Sequence, residues 1–396
     1  MRKKSGKNRV ILIVMDSVGA GALQDACKYG DTGAHTINHI FQRYPDMRLP
    51  HLSELGLSSI LGVEIAPFDG KVRGCFGRMA ELSEGKDTIT GHWEICGLKM
   101  EEPFRTFTDT GFPKEFISEF ERRIGHSVIG NYSASGTEII RILGEEHRRT
   151  GSPIVYTSAD SVFQVAANVE VIPMETLYEY CEIARELLVG EWLVGRVIAR
   201  PFIEQNGAYV RISGRHDYTF DPYGETILDL ISAAGQEVCA VGKITDIFNG
   251  KGITSSVYTN GNADGIYRTV EYMDSCDQGL IFTNLIDFDS MYGHRRDAVG
   301  YGKALEEFDA MIPAVTNRMR PDDLLIVCAD HGNDPIHNGW NHTREYVPLL
   351  VFGEKLRQNV DLGTLSSFAD VGASVCEYLD VKKPGIGTSF LRKILK

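Results

Sequence analysis

An α/β fold, built on a mostly parallel sheet flanked by helices and carrying a smaller inserted α/β domain, is predicted by three features of this sequence. Short apolar runs of strand length alternate with longer amphipathic segments, the pattern of a parallel sheet with helical crossovers. Three of these runs lead into an aspartate: Val10 to Met15 into Asp16, Leu280 to Ile286 into Asp289, and Leu324 to Ala329 into Asp330. The stretch from 101 to 219 has a different texture, with Pro103, Pro113, Pro153, Pro173, Pro201 and several glycine breaks. The expected organisation is therefore a discontinuous core, 1–100 with 220–396, and an inserted cap at 101–219.

Taken in order, Val10–Met15 reads as a buried strand. Inside the insertion, Val194–Pro201 and Ala208–Ser213 alternate in the way of strands. Beyond it, Glu225–Ala234 reads as a helix, Glu237–Val241 as a strand, Tyr267–Cys276 as a helix and Gly279–Ile286 as a strand. Ala304–Arg320 places Leu305, Phe308, Met311, Ile312 and Val315 at helical spacing, and Pro321 closes it before the strand Leu324–Ala329. Phe368–Leu379 reads as a covering helix. The sequence shows no internal repeat and no low-complexity segment.

Composition narrows the function. The 396 residues allow roughly two or three domains, and 43% hydrophobic residues suffice for a large core. A net charge of −13 argues against nucleic-acid binding, which rests on Lys and Arg neutralising phosphates, although a local basic pocket can still hold a small anion. The eight cysteines stand singly, without a Cys-x-x-Cys pair, and that spacing favours reduced core thiols over metal or redox roles. The basic start, Met1 to Arg9, is followed by only six apolar residues before Asp16, too few for a signal peptide. No run approaches the length that spans a bilayer. The expected location is the cytoplasm, with no membrane partner.

Six residues are candidate metal ligands: Asp16, Asp289, His294, Asp330, His331 and His342. Singly, an aspartate after a strand is often a helix cap and a histidine an ordinary polar residue. Together they say more. The carboxyl ends of parallel strands form one crevice, and carboxylates gathered there repel one another unless cations hold them ionised. The mixed Asp/His set suggests two divalent cations side by side. The segment Lys86-Asp87-Thr88-Ile89-Thr90-Gly91-His92-Trp93-Glu94 supplies a hydroxyl for them to act with, because a Thr hydroxyl becomes a competent nucleophile when a metal or base activates it and a loop entering a helix offers N–H groups to a phosphate. In isolation Thr88 or Thr90 would be a plain N-cap; beside the six ligands the nucleophile reading for Thr88 is the stronger.

Asp16 after the first strand, the Lys-Asp-Thr-Ile-Thr-Gly-His-Trp-Glu segment, Asp289-x-x-x-x-His294, Asp330-His331-Gly332 and His342-Thr343-Arg344-Glu345 together resemble the alkaline phosphatase superfamily. The likeness runs over the whole chain and is strongest to its members that act on pentose phosphates. It implies an alkaline-phosphatase-like core holding two divalent metals, by the family's habit Mn2+, a phosphorylated threonine between them, and a mobile cap. Carried over residue by residue, it gives Asp16, Asp330 and His331 one metal together with Thr88, and Asp289, His294 and His342 the other; the five-residue gap selects Asp289 over Asp287, which is left in support. The carboxylate and imidazole donors suit Mn or Zn better than Mg.

Substrate recognition is expected from the cap, where Arg196, Arg200, Arg211, Arg215 and His216 crowd a short stretch of an acidic chain. A guanidinium fork suits a phosphate monoester, while about half of such arginines are expected to form ordinary surface pairs. The resemblance adds Ser158 and Asp160 in the cap and Lys243 near the junction. The implied reaction interconverts ribose 1-phosphate and ribose 5-phosphate, and the 2-deoxy pair, through a phosphothreonine and a 1,5-bisphosphate. Small-molecule pentose phosphates are then the partners, and glucose 1,6-bisphosphate or ribose 1,5-bisphosphate the activator. The alternatives are a phosphoglycerate mutase or phosphatase of the same superfamily, which more often present serine, or a binding protein that retains the fold.

Overall fold

A computed structural model of the chain describes residues 7–158 and 161–396. The chain divides into two compact units, one made of Met1–Pro103 with Pro222–Lys396 and the other of Phe104–Asp221.

The first unit is built on an eight-stranded sheet in the order Ser255–Val257, Glu237–Val241, Gly279–Leu285, Arg9–Met15, Asp323–Cys328, Val347–Phe352, Cys75–Met79 and Val360–Leu365. Only Val347–Phe352 runs antiparallel to its neighbours, so the sheet is mostly parallel, as expected. Arg9–Met15 is buried along its whole length, which is why it reads as an unbroken apolar run. Its two parallel neighbours fix the geometry of the crevice. Met15 stands opposite Leu285 and Val14 opposite Cys328, so Asp330, two residues past Cys328, is level with Asp16, and Asp289 follows just beyond the same edge.

Helix ends depart from the apolar pattern for identifiable reasons. The helix expected at Ala304–Arg320 spans Ala298–Thr316: Asp297 caps it through the Gly300 N–H, and Pro313 lies inside it. The one expected at Tyr267–Cys276 spans Asn262–Ser275. Its first N–H, on Asn262, is taken by Asp287 Oδ2 at 2.7 Å, a cap from a distant residue that no local pattern announces. Thr226 and Asp229 form a capping box, which starts the helix Ile227–Ala233 within the expected 225–234.

The second unit has a sheet in the order Ile129–Ser133, Ile154–Thr157, Val162–Asn168, Arg196–Gln205 and Ala208–Arg211, with His216–Thr219 also paired to Arg196–Gln205. Phe112, Phe116 and Phe120 meet Phe163 edge to face at ring distances of 4.8, 5.1 and 5.3 Å, the offset arrangement that aromatic quadrupoles favour. The helix Lys114–Ile124, on which Phe116 and Phe120 lie four apart, is thereby fixed to the sheet.

One buried ion pair pins the start of the central strand. Arg9, 1% exposed, donates to Asp323 through Nε at 3.2 Å and Nη2 at 2.5 Å, and to the carbonyls of Met273 and Cys276. Asp323→Ala leaves that guanidinium without its counter-charge, and is expected to lower stability by about 3–5 kcal/mol in denaturant unfolding; a loss below about 1 kcal/mol would show that the pair is not integral to the core.

Candidate metal centre and nucleophile

At the carboxyl end of the sheet, two groups of three residues each bring their donor atoms within 4.8 Å of one another: Asp16 with Asp330 and His331, and Asp289 with His294 and His342. All six side chains are buried except the half-buried His294. The rings of His331 and His342 stack at 4.1 Å, bringing the two groups together.

The second group depends on an uncommon turn. Residues five apart are 1.4 turns apart in an α-helix and face different ways. Phe288–Gly293 is instead a π-helix, closed by His294 N–H to Asp289 O at 3.0 Å, and this i→i+5 bond stacks position 289 under 294. Asp289 Oδ2 then lies 3.3 Å from His294 Nε2 and Oδ1 3.3 Å from His342 Nε2. Asp287 is not in support of the ligands; its carboxylate caps Asn262. Asn333 takes the supporting place, donating through Nδ2 to Asp289 Oδ1 at 2.7 Å while its own oxygen accepts from Arg296 at 3.0 Å.

Backbone carbonyls set the imidazole tautomers. A carbonyl only accepts, so the 3.1 Å contact between His331 Nδ1 and Gly332 O places the proton on Nδ1 and aims the Nε2 lone pair inward. His294 is held the same way by Trp340 O at 3.2 Å. The inward nitrogens face other acceptors: His331 Nε2 is 3.5 Å from Asp16 Oδ1 and 3.4 Å from Asp330 Oδ2, and His294 Nε2 is 3.0 Å from His342 Nε2. Asp16 Oδ1 is buried without a hydrogen-bond partner. Among the described residues Asp330 Oδ2 is equally without one, the proton of His92 Nδ1, 3.1 Å away, being directed at Thr88 O at 2.9 Å. Lone pairs and carboxylate oxygens converging on shared points, with outer hydrogen bonds fixing each ring, are what a pair of divalent cations requires, and the residues present fit them.

The charges respond strongly to this crowding. Burial, then the neighbouring Asp330 and Asp289, push the Asp16 carboxyl up to about 7. Burial also raises Asp330 and Asp289, but adjacent histidines outweigh it, His331 and His92 lowering Asp330 and His342 and His294 lowering Asp289. His331 is raised against its burial by Asp330, Asp16 and Asp289, whereas burial holds His342 down.

Thr88 is the first residue of the helix Thr88–Ile95, and its Oγ1 lies 3.1 Å from His331 Nε2. The cap of this helix is Asp87, not Thr88 or Thr90: its carboxylate accepts from Ile89 N, Thr90 N and Thr90 Oγ1. Thr88 is thus relieved of a capping role. Gly91 allows the helix to lie directly on the strand end, since a Cβ there would fall 2.1 Å from Asp330 O. Arg344, two residues past His342, holds the approach to Thr88 by donating to Glu81 Oε2 and the carbonyls of Ser83 and Gly85 at 2.6–2.8 Å. Glu94 secures the other side, accepting from Leu82 N, Ser83 N, Ser367 Oγ and Phe368 N.

Of the remaining expected residues, Lys243 precedes the helix Ile244–Ile247 at the end of strand Glu237–Val241 in the first unit. In the second unit, Arg196 and Arg215 both approach Asp217, at 3.4 and 2.7 Å. Arg200 donates to Gln164 at 3.2 Å. Arg200, Arg211 and Arg215 all act on the buried Tyr156 hydroxyl, which burial first raises and the three cations lower in part, and that hydroxyl has no hydrogen-bond partner among the described residues. His216 packs its ring against Tyr178 and Tyr218. Ser158 accepts from Thr108 through its carbonyl at 3.0 Å. Asp160 lies outside the described residues. The residues that sequence reasoning missed are His92, Asn284, Asn333 and Arg296; Asn284 donates to Asp16 Oδ2 at 2.8 Å. His92 stood in the quoted motif and Asn284 in a strand just before an aspartate, signals too slight to assign a role.

The fold and the paired Asp/His groups define a metal-dependent enzyme, and the Metalloenzyme superfamily model matches residues 8–383. The chain is 54% identical over 386 residues to the phosphopentomutase of Caldanaerobacter subterraneus subsp. tengcongensis, covering 98% of both, and 53% identical over 385 residues to that of Clostridioides difficile, covering 97% of this chain and 98% of the relative. In fold it is similar to the PH0037 protein of Pyrococcus horikoshii, with a TM-score of 0.50 at 14% identity over 96% of this chain and 100% of that one. The chain belongs to the phosphopentomutase family.

A cation held by Asp16 would displace its proton, and Mn2+ affinity of the metal-free protein should then rise with pH up to about 7 and fall about tenfold per unit below it for this one proton. Calorimetric titrations in buffers of different ionisation enthalpy would show the proton released; affinity unchanged between about pH 5.5 and 7.5 would contradict the assignment.

Proposed function

We propose that this member of the family interconverts ribose 1-phosphate and ribose 5-phosphate, and their 2-deoxy counterparts, through a phosphorylated Thr88. The observation that carries this reading is the placement of the Thr88 hydroxyl, 3.1 Å from His331 Nε2 at the edge of the two Asp/His groups, on a helix whose cap is supplied by another residue.

The two groups would hold two divalent cations, of which Mn2+ suits the donor set; when bound, these supply positive charge to the entering and leaving oxygens of phosphoryl transfer. The chain's own residues do the rest. Asp87 and Glu94 fix the helix and Arg344 the loop before it, so Thr88 Oγ is presented in one place and little ordering remains at the moment of transfer. His331, its proton held on Nδ1 by Gly332 O, keeps its Nε2 lone pair on the side of Thr88, where it would hold a cation next to that hydroxyl. Phosphothreonine donates to the free hydroxyl of a bound pentose phosphate, giving the 1,5-bisphosphate; the sugar's other phosphate then returns to Thr88. A sugar bisphosphate such as glucose 1,6-bisphosphate or ribose 1,5-bisphosphate primes the threonine when it has been lost to water.

For the sugar phosphate itself, the second unit offers Arg200 and Arg211 beside the unpartnered Tyr156 hydroxyl, donors suited to a phosphate monoester. Arg196 and Arg215, which share Asp217, are then one step removed. Ser158 and Asp160 in the second unit and Lys243 in the first are each proposed as substrate residues on the family resemblance.

Phosphorus NMR of ribose 1-phosphate with the Mn2+-loaded protein and a trace of glucose 1,6-bisphosphate should show ribose 5-phosphate growing in without free phosphate. Free phosphate alone would make the protein a phosphatase, and an unchanged spectrum would rule out the proposed substrate. Thr88→Ala should lower turnover by at least about a thousandfold, in keeping with loss of a covalent nucleophile, while metal content stays near two per chain; turnover within tenfold of the parent would remove Thr88 from its role.

A further inference from the structure

A third group of donor atoms lies in the first unit, at the opposite end of the sheet. Glu237 and Cys239 stand two apart on strand Glu237–Val241 and so point to the same face. Cys276 follows the helix Asn262–Ser275. One carboxylate oxygen and the two sulfurs lie within 4.8 Å of one another, with both cysteines buried and Glu237 exposed. Glu237 begins its strand, beside Gly279 at the start of the next, whereas Asp16, Asp289 and Asp330 lie past the strands' far ends.

We propose that Glu237, Cys239 and Cys276 form a binding site for one thiophilic divalent cation of the zinc class. Zn2+ accepts thiolate and carboxylate ligands in tetrahedral geometry and leaves a fourth position to water when three protein ligands are present. The two thiols give the site its preference, since Mn2+ takes oxygen and imidazole donors instead. The exposed carboxylate supplies the way in.

The site is held in place before any ion arrives. The Asp277 N–H donates to Glu237 Oε1 at 3.1 Å, tying the carboxylate to the residue after Cys276. Cys276 is itself anchored, its N–H on Tyr272 O at 2.7 Å and its carbonyl on Arg9 Nη1 at 3.0 Å. Thiolate is the ligating form, and the two sulfurs lie close enough together to share one ion. A cation would displace the protons of both thiols, joining the start of one strand to the residue that follows a helix.

The test is to titrate Cd2+ into the Mn2+-loaded full chain under a non-thiol reductant and follow sulfur-to-cadmium charge transfer in the ultraviolet, a signal that the Asp/His groups cannot produce. A band saturating at one equivalent, displaced by Zn2+ and lost in both Cys239→Ser and Cys276→Ser, is expected. Glu237→Gln, at an exposed position where folding is not at issue, should keep the band and weaken Cd2+ about tenfold, the loss of one charged ligand. No band, or a band that survives both serine substitutions, would overturn the site; so would Glu237→Gln with unaltered affinity, which would leave only a pair of thiols.

Discussion

Repulsion among three buried carboxylates is the constraint around which this structure is arranged. Asp16, Asp289 and Asp330 are brought to one edge by strands whose register leaves them no freedom, and the first of them is held near neutrality by the other two and by burial. Charges so close in a site removed from water cost several kcal/mol each unless something compensates them. Compensation would come from divalent cations, around which stand the imidazoles of His331, His342 and His294. Their outward nitrogens are committed to carbonyls where the bonds are seen, at Gly332 and Trp340, so the inward ones serve as donors of electron pairs rather than protons. A metal-dependent enzyme follows from that arithmetic more directly than from the sheet, which many unrelated chemistries share.

The neighbourhood of Thr88 obeys the same economy of position. Polar groups that would otherwise be costly to bury are each given a structural duty: Asp87 to cap, Glu94 to gather four donors, Arg344 to bind two carbonyls and Glu81 at once. Glu81, fully buried, is raised by that burial and lowered in part by Arg344. The result is a hydroxyl on a rigid support. Arg344 and His342 are two residues apart, so the segment that supplies a candidate ligand also fixes the loop leading to the threonine.

Much of the first unit was legible because its strands are buried on both faces and therefore appear as unbroken apolar runs closed by aspartates. Glu237–Val241 was read to the residue, and the strands ending at Met15, Leu285 and Cys328 to within one residue at either end. Other features were not legible for physical reasons. Asn262 is capped by Asp287 from across the fold, and the start of the helix at Ala298 is obscured by Gly300 and Gly302. The strands Cys75–Met79, Val347–Phe352 and Val360–Leu365 pair with segments far away in sequence and went unread. At the candidate site the aspartates and histidines stood out by their spacing, and the structure brings those six together. Asn284, Asn333 and Arg296 did not stand out, since an amide or guanidinium that orients a ligand leaves no periodicity. The π-helix explains the five-residue gap between Asp289 and His294, which sequence alone presents as an unexplained number.

The order of the strands also has a consequence for how the molecule comes into being. Arg9–Met15 lies between Gly279–Leu285 and Asp323–Cys328, both made more than two hundred residues after it. At ordinary rates of translation that is a wait on the order of tens of seconds, during which a fully apolar strand has no partner and Phe104–Asp221 can already have formed its own aromatic core. Pairings of such long sequence separation are slow to close. The strand that leads into Asp16 is thus a hazard for aggregation in the nascent chain until those two partners have been made.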